Sequence, residues 1–438
     1  MDDPGASEER AATEATVRAG VLVTGTEILS GRVSDRNGPW LSERLAELGV
    51  EVERITCVGD RPDDLLRALA SMRDDGLRLV CTSGGLGPTA DDKTAEVVGE
   101  FAGRRLQLDR AMEQKIERIL EGYAKRLRFD PEALKEANRK QAMIPEGAIA
   151  LDPVGTAPGL VVPAGDQVII VLPGPPRELQ GMWQEAIESE PVARLLADVP
   201  PFRERALRLF ALPESELAAS LRELEAENDF SELEVVTCLR GGELHVDIRY
   251  REAAESAAET LVAGIRERHA RFLYSDSGEH SEEVVASLLD GRRVAVAESC
   301  TAGLMCSRLA QRPGASDRLA GGVVAYTNEA KVELLGVSDD VITEHGAVSP
   351  EVAEAMARGA IERFGADLGI GITGIAGPGG GSEEKPVGLV CICAVDSAGG
   401  MVARQPVIPG SRTDIRERAV VVALHVLRHL LAGEEPPR

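Results

Sequence analysis

Aromatic side chains are scarce: two Trp, four Tyr and seven Phe make up 3% of the 438 residues. A core built on stacked rings is excluded, and the interior falls to Val, Leu, Ile and Ala, which suit parallel strands covered by helices. Histidine is scarce as well, with none before His245, so the first half of the chain has no imidazole chemistry. Basic residues are outnumbered, 49 Lys and Arg against 73 Asp and Glu, for a net charge of −24. Such a surface repels nucleic acid and anionic membranes, and it makes any nucleotide site depend on local Arg, Lys, metal or helix N-termini. No apolar run is long enough to span a bilayer, and no segment reads as a secretory signal. The seven cysteines (Cys57, Cys81, Cys238, Cys300, Cys306, Cys391 and Cys393) are odd in number, mostly set in apolar runs, and lack zinc-knuckle spacing. They read as reduced thiols of a cytoplasmic protein rather than as a disulfide framework.

What is present falls into three blocks after an acidic segment, residues 1–16, that reads as a disordered tail. In the first, about 17–200, strands such as VEVERITCVG and LRLVCTS alternate with helices such as NGPWLSERLAELG. That alternation predicts βαβ units, a parallel sheet, and ligands at the carboxyl ends of its strands. The second block, about 204–275, reads β-α-β-β-α-β, a split βαβ unit. Its nine basic and fifteen acidic side chains over 204–274, net −6, argue against RNA binding. The third block, about 278–435, returns to strand–helix alternation and predicts an α/β layer sandwich. The chain as a whole is expected to be an α/β protein with a small α+β insert.

In the third block Ser299 lies where the strand VAVAE gives way to small residues, Thr301, Ala302 and Gly303. A hydroxyl there caps a helix or, equally, sits where backbone amides receive a developing oxyanion. Lys331 falls in the first turn of the next helix, where acidic residues are preferred. Beside Ser299 it would serve as the base of a Ser–Lys hydrolase, its pKa lowered by desolvation. Cys300 is the rival nucleophile, but a thiolate needs a nearby cation or base. Gly377, Gly379, Gly380 and Gly381 form a loop able to cradle phosphate or ribose, with a flexible hairpin as the plainer reading. Arg412 opens the last helix, where amides and a guanidinium suit a phosphate.

The strings AESCTAG, AYTNEAK, HGAVSPEVAEAMA and GITGIAGPGGGSEEKPVG resemble the PncC type of nicotinamide mononucleotide (NMN) deamidase over about 278–435. The resemblance implies Ser299 as nucleophile, Lys331 as its base and Tyr326 as a supporting hydroxyl. It further implies that Thr301, Gly303, Thr373 and the Gly377–Gly381 loop line the nucleotide, that Arg412 holds its phosphate, and that this step needs no metal. Ala302 departs from the family, which usually carries a second Gly there.

In the first block GGLGPTADDKT follows a buried strand and opens a helix, as a phosphate loop does. Asp91 and Asp92 would merely favour a helix dipole, or would hold a divalent metal that bridges to a phosphate. With TGTEILSGRVSDRNG, NRKQAMIPEGA, LDPVGTAPG and VLPGPPRE, this loop resembles the molybdopterin-binding fold as it occurs in the CinA family, whose middle domain is KH-like. That resemblance covers nearly the whole chain and implies a metal-dependent ADP-ribose pyrophosphatase. Asp91 and Asp92 would ligate Mg, Mn or Co. Gly84, Gly85, Gly87 and Thr89 would hold phosphate, and Asn37, Gly155, Thr156 and Gly159 would complete the pocket. Asp152 stands where the family commonly carries Asn. The alternatives are a molybdopterin- or nucleotide-binding module without turnover, and a non-catalytic protein linked to competence. The expected ligands are NMN and ADP-ribose, with no direct nucleic-acid or membrane partner; a homodimer is the expected assembly.

Overall fold

The computed structural model describes residues 16–124 and 131–434, so all but the last residue of the expected acidic tail lies outside it. The chain divides into two compact units at Phe202/Arg203.

The first unit contains β1 (Arg18–Thr24), α1 (Asn37–Glu47), β2 (Glu51–Val58), α2 (Pro62–Asp74), β3 (Leu79–Ser83), α3 (Thr94–Phe101) and β4 (Leu106–Leu108). It continues with β5 (Met143–Pro145), β6 (Ile149–Leu151), β7 (Gly159–Ala164), β8 (Gln167–Leu172) and α4 (Pro176–Glu188). Six strands form a sheet in the order β2-β1-β3-β8-β7-β6, and β4 pairs with β5. Period-two alternation on β1 sends Ala19, Val21 and Val23 to one face, against Leu41 and Leu45 of α1. Leu22 points to the other face, where Leu65, Leu69 and Met72 of α2 repeat at helical spacing.

The parallel sheet expected from the alternation holds for β2, β1, β3 and β8. It does not hold for β6 and β7, which are antiparallel. The reason is local: Ala164 pairs with Gln167 across a two-residue turn in which Gly165 has φ 66°. That turn returns the chain without a crossover helix.

The second unit opens with β9 (Arg203–Phe210), α5 (Glu214–Glu227), β10 (Glu234–Arg240), β11 (Glu243–Tyr250), α6 (Glu255–His269) and β12 (Leu273–Ser275). Its sheet, β10-β11-β9-β12, is antiparallel throughout, the split βαβ arrangement. Leu207, Leu209, Leu244, Val246 and Ile248 face α5 and α6. The alternate positions Arg208, Glu243 and His245 are also buried, on the opposite face.

That opposite face is covered by the last helix of the same unit. The remaining elements are α7 (Ser281–Leu288), β13 (Val294–Glu298), α8 (Leu304–Ala310), β14 (Leu319–Val324), α9 (Asn328–Leu335) and α10 (Pro350–Phe364). After them come β15 (Leu368–Gly374), β16 (Val390–Asp396), β17 (Met401–Arg404) and α11 (Arg412–Ala432). His425 of α11 stacks on Phe210, centroids 3.7 Å apart, and its Nε2 lies 2.7 Å from Glu243 Oε1. Burial lowers the His425 pKa, and Glu243 stays below the usual carboxylate value despite its own burial because His425 bonds to it. The two side chains thus partner each other in the buried layer.

The five-stranded sheet runs β14-β13-β15-β16-β17, with β14, β13 and β15 parallel and the last two antiparallel. One face packs on α7 and α11 through Val285, Ile415 and Leu424, the other on α10 through Val352 and Met356. Helix α10 approaches β15 so closely that a Cβ on Gly369 or Gly371 would lie 2.2 or 2.0 Å from a helix carbonyl. Among the described residues no helix is long and apolar enough to cross a membrane.

Candidate functional site

Because β13, β14 and β15 are parallel, their carboxyl ends open on one edge, and the segments after them meet there. Ser299 follows β13 directly and is anchored by its amide to Ile372 O of β15 at 2.8 Å. Lys331 comes from α9, whose N-cap Thr327 accepts from Ala330 N at 3.2 Å, worth about 1 kcal/mol. The lysine is 2% exposed, and its Nζ donates to Ser299 Oγ and to Ala325 O, each at 3.2 Å. Burial lowers its pKa from the ordinary lysine value. A desolvated amine within reach of a hydroxyl can act as general base. The neighbouring Cys300 thiol is buried, and that burial pushes its pKa up to about 12. Burial of this kind disfavours the thiolate that a cysteine nucleophile needs.

Tyr326, largely exposed, accepts through its hydroxyl from Arg412 Nη2 at 2.8 Å, and Arg412 Nη1 donates to Gly377 O at 2.7 Å. Tyr326, Arg412 and the glycine loop thus form one patch beside the serine strand end. Lys385 clamps the same loop, donating to His345 O and Val348 O at 2.7 and 2.8 Å. Thr373 is buried and donates to Ala347 O at 2.8 Å.

At the edge of the first unit, Asn37 Nδ2 donates to Ser83 Oγ at 2.8 Å and Gly174 O at 2.7 Å, tying together the ends of α1, β3 and β8. Gly84 and Gly85 have φ 105° and 69°, and a Cβ on either would collide with the Thr24 or Thr94 side chain. The Thr89 hydroxyl sits between the carboxylates of Asp91 and Asp92, with Asp92 Oδ2 2.6 Å away. Hydrogen bonds from Thr89 and the backbone, with help from Lys140, lower the Asp91 pKa. Gly155 lies over Glu178, whose carboxyl would be 2.3 Å from an added Cβ. Thr156 Oγ1 is 3.5 Å from Gln141 Nε2, and Gly159 begins β7. Gly87 is similarly close-packed, since a Cβ there would meet Asp92 Oδ2 at 2.5 Å.

Residues 278–431 match the CinA C-terminal domain and residues 20–194 the probable molybdopterin binding domain. A CinA-like protein of Mycolicibacterium paratuberculosis is 54% identical, the match covering 95% of this chain and 99% of that one. One from Mycobacterium marinum is 52% identical over the same shares. The chain belongs to the CinA-like family. A solved structure, the competence/damage inducible protein CihA from Agrobacterium tumefaciens, is 40% identical over 34% of this chain and 94% of its own, with a TM-score of 0.33.

Within this CinA-family chain several expectations are corrected. The helix after Ser299 does not start there: residues 299–303 form a turn, and α8 begins at Leu304 behind Gly303, whose φ is 93°. Thr301 is fully buried with its hydroxyl unpartnered, so its side chain is sealed from the site. The amides opening α11 are partly taken by a capping box between Ser411 and Asp414, which leaves the Arg412 guanidinium as the cationic feature there. Asp91 and Asp92 precede α3 instead of opening it, because Asp92 and Thr89 exchange hydrogen bonds and close a separate turn. The expected metal ligands Asp91 and Asp92 keep their place as a pair, since among the described residues no group of three or more His, Cys, Asp or Glu adds to them. Asp152 is engaged with Lys115.

Three residues escaped the sequence reading. Lys385 lay inside a quoted string without a role. Glu298 is fully buried, and Arg416 bonds to the serine turn. The signal for Glu298 was available: one acid closing an otherwise apolar strand.

Proposed function

We propose that the C-terminal domain deamidates NMN to nicotinate mononucleotide and ammonia by a Ser–Lys mechanism. The observation that carries this reading is the buried Lys331 Nζ lying 3.2 Å from Ser299 Oγ at the carboxyl ends of parallel strands. Neutral Lys331 takes the Ser299 proton as Oγ attacks the carboxamide carbon. The lysine ammonium then protonates the departing nitrogen, ammonia leaves, and an ester on Ser299 remains. Water, deprotonated by Lys331, cleaves the ester and regenerates both groups. Arg412 and the Gly377–Gly381 loop hold the phosphate and ribose, with Tyr326 orienting the guanidinium. None of these steps calls for a metal.

The first unit we read as a metal-dependent ADP-ribose pyrophosphatase. Its two open carboxylates, Asp91 and Asp92, fit a divalent ion that keeps its waters and takes remaining ligands from a pyrophosphate; they do not build an all-protein cage. Such an ion would neutralise charge on the phosphates, which Gly84, Gly85 and Gly87 admit close to the backbone. The same openness favours a second reading, a nucleotide- or molybdopterin-binding module without turnover.

Product analysis tests both readings. Incubation with NMN should give equimolar ammonia and nicotinate mononucleotide; ADP-ribose with Mg, Mn or Co should give AMP and ribose 5-phosphate. Absence of the first pair defeats the amidase reading. Nucleotide binding without AMP moves the first unit to the binding-module reading.

A further inference from the structure

The turn that carries Ser299 is gripped from two sides by charged residues with no assigned role. On one side lies Glu298, fully buried. Its Oε2 accepts from Gly303 N at 2.9 Å and Met305 N at 3.1 Å, and its Oε1 from Cys306 N at 3.0 Å. Hydrogen bonds to a charged group inside a protein are stronger than neutral ones, and a buried carboxylate is tolerable only when its lone pairs are filled in this way. On the other side, Arg416 of α11 donates from Nε to Cys300 O at 3.0 Å and from Nη2 to Thr301 O at 2.9 Å.

Between the two grips the backbone is held in a shape it would not choose. Ala302, which is not a glycine, has φ 49°, a left-handed conformation that costs on the order of 1 kcal/mol. Strain of this kind persists only where surrounding contacts impose it. The contacts also fix which way the peptide planes face. In a trans peptide the carbonyl and the following N–H point in opposite directions. Drawing Cys300 O towards Arg416 therefore turns the Thr301 N–H away from it. The amides of Ser299, Ala302, Gly303, Leu304, Met305, Cys306 and Ser307 all donate to carbonyls or to Glu298.

We propose that Glu298 and Arg416 are positioning residues: they hold the Ser299 turn in the shape that keeps its Oγ beside Lys331 Nζ. This rests on the amidase reading above.

The test uses the full-length protein with Glu298→Gln, Arg416→Ala and Arg416→Lys. Two readouts are taken: ammonia release from NMN, and amide hydrogen exchange of the peptide covering 299–307. Glu298→Gln and Arg416→Ala should each lower kcat about 100-fold, the cost of a small misplacement of reacting groups. KM should stay within about threefold, since neither residue belongs to the groups proposed to hold the phosphate and ribose. Exchange in the peptide should accelerate. Guanidinium added to Arg416→Ala should recover part of kcat, whereas Arg416→Lys, lacking the two-pronged donor, should remain slow. Unchanged kcat, or unchanged exchange in the turn, would overturn the proposal. Should wild-type protein release no ammonia, the amidase reading fails and exchange alone judges the grip on the turn. Should Glu298→Gln not fold, guanidinium recovery in Arg416→Ala decides, with no recovery counting against the proposal.

Discussion

The two strand-edge sites of this chain handle charge in opposite ways. In the second unit Lys331 and Glu298 are buried, each facing neutral partners, and burial lowers the pKa of the first from the ordinary lysine value. In the first unit Asp91 is exposed and Asp92 only half-buried, both bonded to a single threonine hydroxyl. A desolvated group is prepared for chemistry by the protein alone, because burial has already shifted its protonation equilibrium. Solvated carboxylates gain their role from what they bind. The contrast explains why one site is read as metal-independent and the other as metal-requiring within the same chain.

The sharpest way to break the contrast is Ser299→Ala. It should lower ammonia release from NMN by about 10⁴-fold or more, as loss of a nucleophile does, while AMP release from ADP-ribose is unaffected. A fall in both would mean that the sites are not independent.

Lys331→Ala should cost about 10²–10⁴-fold in kcat/KM. In the wild-type protein kcat/KM should rise with pH as the lysine loses its proton, with a midpoint below the free-lysine value of about 10.4. The alanine variant should lack that limb and regain some activity at high pH. A wild-type midpoint at the ordinary lysine value would contradict the burial argument.

Asp91→Asn should raise the metal concentration needed for AMP release by about tenfold or more, the lower end of what lost metal-site interactions cost. It should leave deamidation unchanged. An unaffected metal titration would remove Asp91 from the ligand set.

The smallest expected effect separates the units by acid sensitivity. All six histidines lie in the second unit. Burial lowers the pKa of His245, His269 and His425, and takes His429 down to about 3. A histidine depressed in the folded state contributes stability fully above its unfolded value of about 6.5 and loses it as pH falls towards the folded value. Hydrogen exchange should therefore show the second unit loosening between pH 6.5 and 5 before the first does. Parallel loosening of both units would contradict this.

Much of the architecture was legible because it rests on local chemistry: the alternation of apolar strands with amphipathic helices, and turns punctuated by glycine. The β7–β8 hairpin was missed because Gly165–Asp166 is one turn signal in an apolar stretch that reads equally well as a single strand. At the serine site, Ser299 and Lys331 were legible as residue types out of place, a hydroxyl among small residues and a base where acids are preferred. Glu298 and Arg416 were not, since their meaning lies in bonds across five to 116 positions of chain. The burial of the face carrying Glu243 and His245 was likewise invisible, because it depends on a helix almost two hundred residues later, His425 being 182 positions from Glu243.

The most direct test of the account is ammonia release from NMN in excess EDTA, measured for the wild-type protein and for Ser299→Ala side by side. The account predicts release unchanged by the chelator in the wild type and absent in the variant. Release that the chelator abolishes, or that survives the loss of Ser299, would contradict it.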